Sequence, residues 1–382
     1  MLDSVSQASG AMLSNTEDAL PRVRSLDGIR GLAILMVMIH HFTFLPKAGV
    51  IDTAVYYVSK LGWSGVDLFF VLSGYLITSI LVQRRTDPHY FRTFYWRRVL
   101  RILPLYYFVL AVTLFVLPHF FDLGSMGGAE PWFWLHLSNL YIAFNEFAHK
   151  SINITWSLAI EEQFYLFWPL VVYTVSRKQL IRVCIGVFIG TVVLRLVMGL
   201  WGAPWGMSYT FTLTRLDGLA LGALLATGVF GPGKIPAGQV VKVGLAAAVV
   251  AGGTVMITQS THMAGRIGPA VGYAALAVMW ASLVWLALTT EKVAAVFSTR
   301  PMMLFGKYSY GLYLYHMPVA YITRDHLFRP DTWPRVGGHV LFGQLLFHLL
   351  AGTITLLIAM LSWALLEGPI LKLKRHFRYA SM

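Results

Sequence analysis

Ten apolar stretches divide this chain between residues 26 and 366, and each is long enough to cross a hydrocarbon core about 30 Å thick. No other feature limits the fold as severely. A backbone in lipid must satisfy its own hydrogen bonds, and stretches of roughly twenty residues do so as helices. The spans read as 26–45, 61–83, 102–120, 153–175, 181–200, 209–229, 239–258, 267–290, 302–323 and 338–366. Breakers such as Gly202-Ala-Pro204, the run from Gly231 to Pro236 and the run from Arg329 to Pro334 fill loops between them. The expected fold is an all-α, polytopic integral membrane bundle of about ten transmembrane helices. Hydrophobic residues at 57% against charged residues at 12% suit a lipid bilayer as solvent and exclude an ordinary soluble domain.

Basic residues set the orientation. With the N-terminus inside, 20 of the 30 Lys and Arg fall in inward segments, 7 in outward ones and 3 (Arg30, Arg195 and Arg215) within spans. That bias predicts N-in and C-in by the positive-inside rule. It also accounts for the net charge of +13 without a nucleic-acid partner, for which there is no basic soluble domain. Residues 1–20 are polar with no apolar leader, so they read as a flexible tail, with the segment from Leu26 as an uncleaved signal anchor. Residues 21–370 read as one membrane domain and 371–382 as a basic cytoplasmic tail. The lone Cys184 excludes a disulfide framework and a cysteine metal site, and no metal is expected.

Polar groups inside lipid are costly, and they usually face one another or a water-filled cavity. The first span carries two of them, Arg30 and His41. Eleven residues at about 100° each bring these onto one helix face, roughly 16 Å apart along the axis. His40 points about 80° away and reads as packing. Rise per residue and alternating direction place His41, Glu161, Arg215, Asp217 and His316, from four spans, in one outer layer. Glu161 and Glu162 diverge by about 100°, so one can orient a base while the other anchors a helix surface. Arg215 and Asp217 read equally as an ion pair or as acceptor-binding groups. On the inner side stand Arg97, Arg98 and Arg101. Arg98 and Arg101 are helical neighbours whose planar forks suit phosphate, and the same residues would serve as juxtamembrane anchors. In the run from Gly65 to Gly74 small residues allow close helix approach; Ser73 has no nucleophile-elbow setting, which leaves Asp67 as the candidate there.

Six segments occur in the order in which the type 3 membrane acyltransferase family carries them. They are Leu26 to His41, Gly65-Val-Asp-Leu-Phe-Phe-Val-Leu-Ser-Gly74, Phe94 to Pro104, Thr155-Trp-Ser-Leu-Ala-Ile-Glu161-Glu-Gln-Phe-Tyr165, Arg215-Leu-Asp-Gly218 and Ser309 to His316. The chain resembles that family from residue 25 to about residue 318. The resemblance implies a bacterial cytoplasmic-membrane enzyme that moves an acyl group, usually acetyl, to a hydroxyl of an extracytoplasmic glycan or glycoside. It makes His41 the catalytic group and matches Glu161 to the family's glutamate; on chemical grounds Glu161 or Asp67 is then expected to orient the His41 ring. Arg30, Arg98 and Arg101, with Arg97, become the site for the phosphates of a cytoplasmic acyl-CoA, a donor substrate rather than a tightly bound cofactor. Arg215, Asp217, His316 and Glu162 fall to the acceptor side. Some members add a C-terminal SGNH hydrolase-like domain; its expected absence here favours direct transfer or a separate partner.

His41 can act as base for the acceptor hydroxyl or as an acyl carrier, and the sequence leaves both open. A proton-coupled transporter or flippase of envelope glycan precursors, with His41, Glu161 and His316 as relay, is the competing reading. No inverted repeat supports it. The sequence sets no oligomeric state.

Overall fold

The computed structural model describes residues 23–45, 49–145, 149–231, 233–336 and 339–379. The expected tail at residues 1–20 lies outside them. Every expected span holds a helix: α1 Arg24–Phe42, α2 Gly65–Gln83, α3 Tyr90–Ala111, α4 Thr155–Thr174, α5 Arg177–Leu200, α6 Leu216–Ala226, α7 Ala237–Thr258, α8 Gly268–Thr289, α9 Arg300–Ile322 and α10 Leu341–Ser362. Shorter helices, including Val50–Lys60, Ser138–Phe144 and Trp205–Thr210, link them, and no strand occurs among the described residues. The fold is all-α, as the run lengths require.

Six helical segments, those containing α2, α3, α5, α7, α8 and α10, are long and apolar enough to cross a membrane. The remaining four elements, α1, α4, α6 and α9, carry Arg30 and His41, Glu161 and Glu162, Asp217, and His316. In α1, α4 and α9 polar side chains interrupt the apolar run, whereas α6 is apolar but only 11 residues long. Exposed Phe115, Val249, Leu349 and Leu357 give the outer surface an apolar character suited to lipid.

The sixth expected span, 209–229, is interrupted. Helix Trp205–Thr210 and a turn at Thr212–Thr214 precede α6. Thr214 Oγ1 donates to Phe211 O at 2.7 Å and Met207 O at 3.1 Å, while Arg195 Nη1 donates to Thr214 O at 2.8 Å. The Arg195 side chain thus serves the Thr214 carbonyl at the break, and the Thr214 hydroxyl reinforces two carbonyls that backbone N–H groups also reach.

Close crossings rest on glycine. A Cβ on Gly306 would stand 1.8 Å from Asp27 O, and one on Gly31 would stand 2.1 Å from Met302 O, so α1 and α9 meet backbone to backbone. Gly74 does the same for α2 against Leu219 O of α6, at 2.0 Å, which bears out the small-residue reading of that run. Gly306→Val is expected to force α1 and α9 apart at a cost of about 3 kcal/mol, read as a lowered melting temperature in detergent. Unchanged melting would contradict the close crossing.

Two buried ion pairs lock the middle of the bundle. Arg215 Nη2 lies 2.7 Å from Asp67 Oδ1, and Arg195 Nη1 lies 2.7 Å from Asp217 Oδ2, with no side chain of the four more than 4% exposed. The first ties α2 to the start of α6, and the second ties α5 to α6.

Candidate active site

A cavity of about 500 Å³ is lined by Arg30, Arg98, Arg101, Glu161, Glu162 and Lys374, among others. Through Arg30, Arg98 and Lys374 it adjoins a second cavity of about 640 Å³, whose wall adds Arg84 and Arg97. Arg30 Nη1 is held 3.0 Å from Asp27 Oδ1, and Arg101 Nη1 lies 3.6 Å from Glu367 Oε2. The Arg97 guanidinium sits 5.6 Å over the Tyr379 ring. Arg98 Nε is buried with no hydrogen-bond partner among the described residues. Such a cluster of guanidinium groups favours a polyanion. Glu161 turns into this arginine-lined space, where its Oε2 accepts from Tyr165 OH at 2.8 Å; Tyr165 OH also bonds Ser73 Oγ of α2.

A separate cavity of about 610 Å³ is lined by His40, His41, Trp156, Trp205, Tyr209 and His262, among others. Tyr313 links the linings of the two cavities. Its side chain lines the arginine cavity, and its hydroxyl lies 2.6 Å from Ser157 Oγ and donates at 2.9 Å to the carbonyl of Ile154, a residue of the histidine cavity. At the end of α1, His40 Nδ1 lies 2.9 Å from Lys60 O, and Lys60 Nζ donates to His40 O at 3.0 Å and Thr43 O at 3.1 Å. The ammonium therefore satisfies helix-end carbonyls.

The protonation pattern at His41 follows from its partners. His316 Nδ1 lies 2.6 Å from Tyr313 O and 3.2 Å from Leu312 O, and its Nε2 lies 3.1 Å from His41 Nδ1. Carbonyls only accept, so a neutral His316 carries its hydrogen on Nδ1 and a lone pair on Nε2. His41 Nδ1 also lies 3.0 Å from Val37 O, and between two acceptors it must be N–H. The lone pair of His41 is therefore on Nε2. The ring is set to act as a base or a nucleophile.

Residues 23–364 match the family model described as an acyltransferase domain, type 3. The chain belongs to the acyltransferase 3 family. Among curated proteins, this acyltransferase is 28% identical over 366 residues to the O-acetyltransferase OatA of Staphylococcus aureus, an alignment covering 91% of this chain and 57% of that protein. It is 28% identical over 376 residues to the peptidoglycan O-acetyltransferase OatA of Listeria monocytogenes (92% and 56% covered). With the putative peptidoglycan O-acetyltransferase YrhL of Bacillus subtilis it shares 28% over 372 residues (91% and 55% covered). The acyltransferase thus spans about half the length of these relatives. No solved structure matches it.

In this acyltransferase the expected donor set of Arg30, Arg97, Arg98 and Arg101 comes together at the joined basic cavities. The expected single polar layer does not. Glu161 and Glu162 share the arginine cavity, which places Glu162 beside Arg98 and Arg101 and away from His41. Asp67 is committed to Arg215, and neither Asp67 nor Glu161 orients His41; His316 and the Val37 carbonyl do. Arg215, Asp217 and His316 stand behind the wall of the histidine cavity, with the Arg215 guanidinium 5.4 Å from the Tyr209 ring and 5.7 Å from that of Trp156.

Four contributors were not foreseen. Lys374 and Arg84 read as topology charges, and Tyr165 was signalled only by its i+4 spacing from Glu161. His262 reaches in from the loop after α7, stacked on Trp63 at 5.6 Å, and loop residues carry no periodic signal. Burial and the neighbouring Lys60 push its imidazole down to about 4, which leaves it neutral at pH 7.

Proposed function

We propose that the acyltransferase moves an acyl group, acetyl by analogy with its relatives, from acyl-CoA in the arginine cavity to a hydroxyl of an envelope glycan in the histidine cavity. Peptidoglycan, named for the relatives, is the first acceptor to test. The observation that carries this reading is that His41, with its lone pair left on Nε2, lines a cavity at the opposite end of α1 from Arg30. With all ten helices spanning and both termini inside, the arginine cavity opens to the cytoplasm and the histidine cavity to the outside. Phosphates then rest on Arg97, Arg98 and Lys374, while the pantetheine arm follows α1 for the roughly 16 Å to His41. Trp156, Trp205 and Tyr209 offer apolar ring surface for a sugar. His41 serves as general base or as acyl carrier, and Glu161 and Tyr165 hydrogen-bond the donor arm.

The decisive test is mass spectrometry of envelope glycans from cells with and without the gene. An acyl ester that vanishes on deletion and returns with the wild-type gene is expected; accumulation of an unflipped lipid-linked precursor would instead mark a transporter. Arg98→Ala with Arg101→Ala is expected to raise the donor KM about 10- to 100-fold with little change in kcat, since a phosphate contact acts as binding. Equal loss toward a donor lacking the nucleotide would reduce the two arginines to topology anchors.

A further inference from the structure

We propose that His316 takes the Nδ1 proton of His41 as His41 Nε2 takes the proton of the acceptor hydroxyl. This makes His316 a positioning and proton-holding residue, and the proposal rests on the acyl-transfer reading above. Three placements support it. His316 is wholly buried, so it meets no substrate. Its Nε2 lies 3.1 Å from His41 Nδ1, whose hydrogen it shares with the Val37 carbonyl at 3.0 Å; of the two acceptors only the imidazole can take the proton. Its Nδ1 points at two carbonyls, Tyr313 O at 2.6 Å and Leu312 O at 3.2 Å, whose dipoles steady the cation formed when the proton arrives. The place filled by a carboxylate in a Ser-His-Asp triad is filled here by a second imidazole anchored on backbone carbonyls.

The step balances. As the acceptor O–H bond breaks and its oxygen bonds the thioester carbonyl carbon of acyl-CoA, the proton enters His41 at Nε2, and the Nδ1 proton leaves for His316. On collapse the carbon–sulfur bond breaks, the departing thiolate takes the Nε2 proton, and His316 returns its proton to His41 Nδ1. The products are the acyl ester and free CoA. Charge never rests on the ring facing the substrate.

His316→Gln separates holding from relaying, because its amide oxygen can accept from His41 Nδ1–H but cannot take the proton at neutral pH. Full-length protein in detergent is assayed for CoA release with acetyl-CoA and a glycan acceptor, and ¹⁵N chemical shifts of its histidines are recorded. The wild type is expected to show His41 as the Nδ1–H tautomer with an N–H···N coupling to His316. His316→Gln is expected to keep that tautomer and both KM values while kcat falls about 10²-fold. Wild-type turnover in His316→Gln overturns the relay. An Nε2–H tautomer of His41 in the wild type overturns it too, even if the variant fails to fold. A wild type that releases no CoA with any glycan would instead defeat the acyl-transfer reading, with the ¹⁵N measurement on the same sample still judging the histidine pair.

Discussion

Replacing His41 with alanine is expected to reduce acyl transfer by about 10³-fold, the scale of a lost general base, while leaving the fold intact. The effect is large because His41 lines the cavity with its lone pair left on Nε2, while its Nδ1 hydrogen is committed to His316 and the Val37 carbonyl. The fold survives because His41 borders a cavity and is no part of the buried ion pairs. CoA release by purified protein, alongside melting in detergent, checks both halves. More than a tenth of wild-type turnover in a properly folded His41→Ala protein would remove His41 from the chemistry.

Asp67→Ala is expected to fail differently, by loss of folded protein. It strands the Arg215 guanidinium, wholly buried among Phe70, Trp156, Tyr209 and Tyr273, and an uncompensated buried charge costs about 3–5 kcal/mol. Removing both charges in Asp67→Leu with Arg215→Met is expected to recover most of that loss, because two apolar side chains leave no orphaned ion. Folded yield and melting temperature read the result. An Asp67→Ala protein that melts like the wild type but turns over poorly would return Asp67 to the catalytic group expected from the sequence.

These two outcomes mark where the sequence was legible. Helical arithmetic alone relates Arg30 to His41 and Glu161 to Tyr165, since both relations lie within one helix and depend only on residue spacing. Run lengths likewise predicted the long helices. The partners of those residues were not legible, because they come from helix crossings that no local pattern encodes. His316 reaches His41 across 275 residues of chain only because α1 and α9 pack at Gly31 and Gly306. Depth estimates put Glu161, Arg215 and His41 at one level, yet depth says nothing about which way a side chain turns. Glu161 faces α2, and Arg215 is drawn inward by Asp67. The break before α6 escaped notice for a related reason, since Thr214 and Arg195 pair its backbone groups with side-chain bonds that hydropathy does not register.

The position of Tyr313 has a consequence beyond the reaction. Two polar cavities approach each other through an apolar bundle, and joined they would form a conduit for ions. Tyr313, on the wall of the arginine cavity, is held by Ser157 and by the carbonyl of Ile154 on the wall of the histidine cavity. If the two cavities open to opposite sides as proposed, a side chain at this place would let an acyl group pass while denying a hydrated cation a continuous wet path.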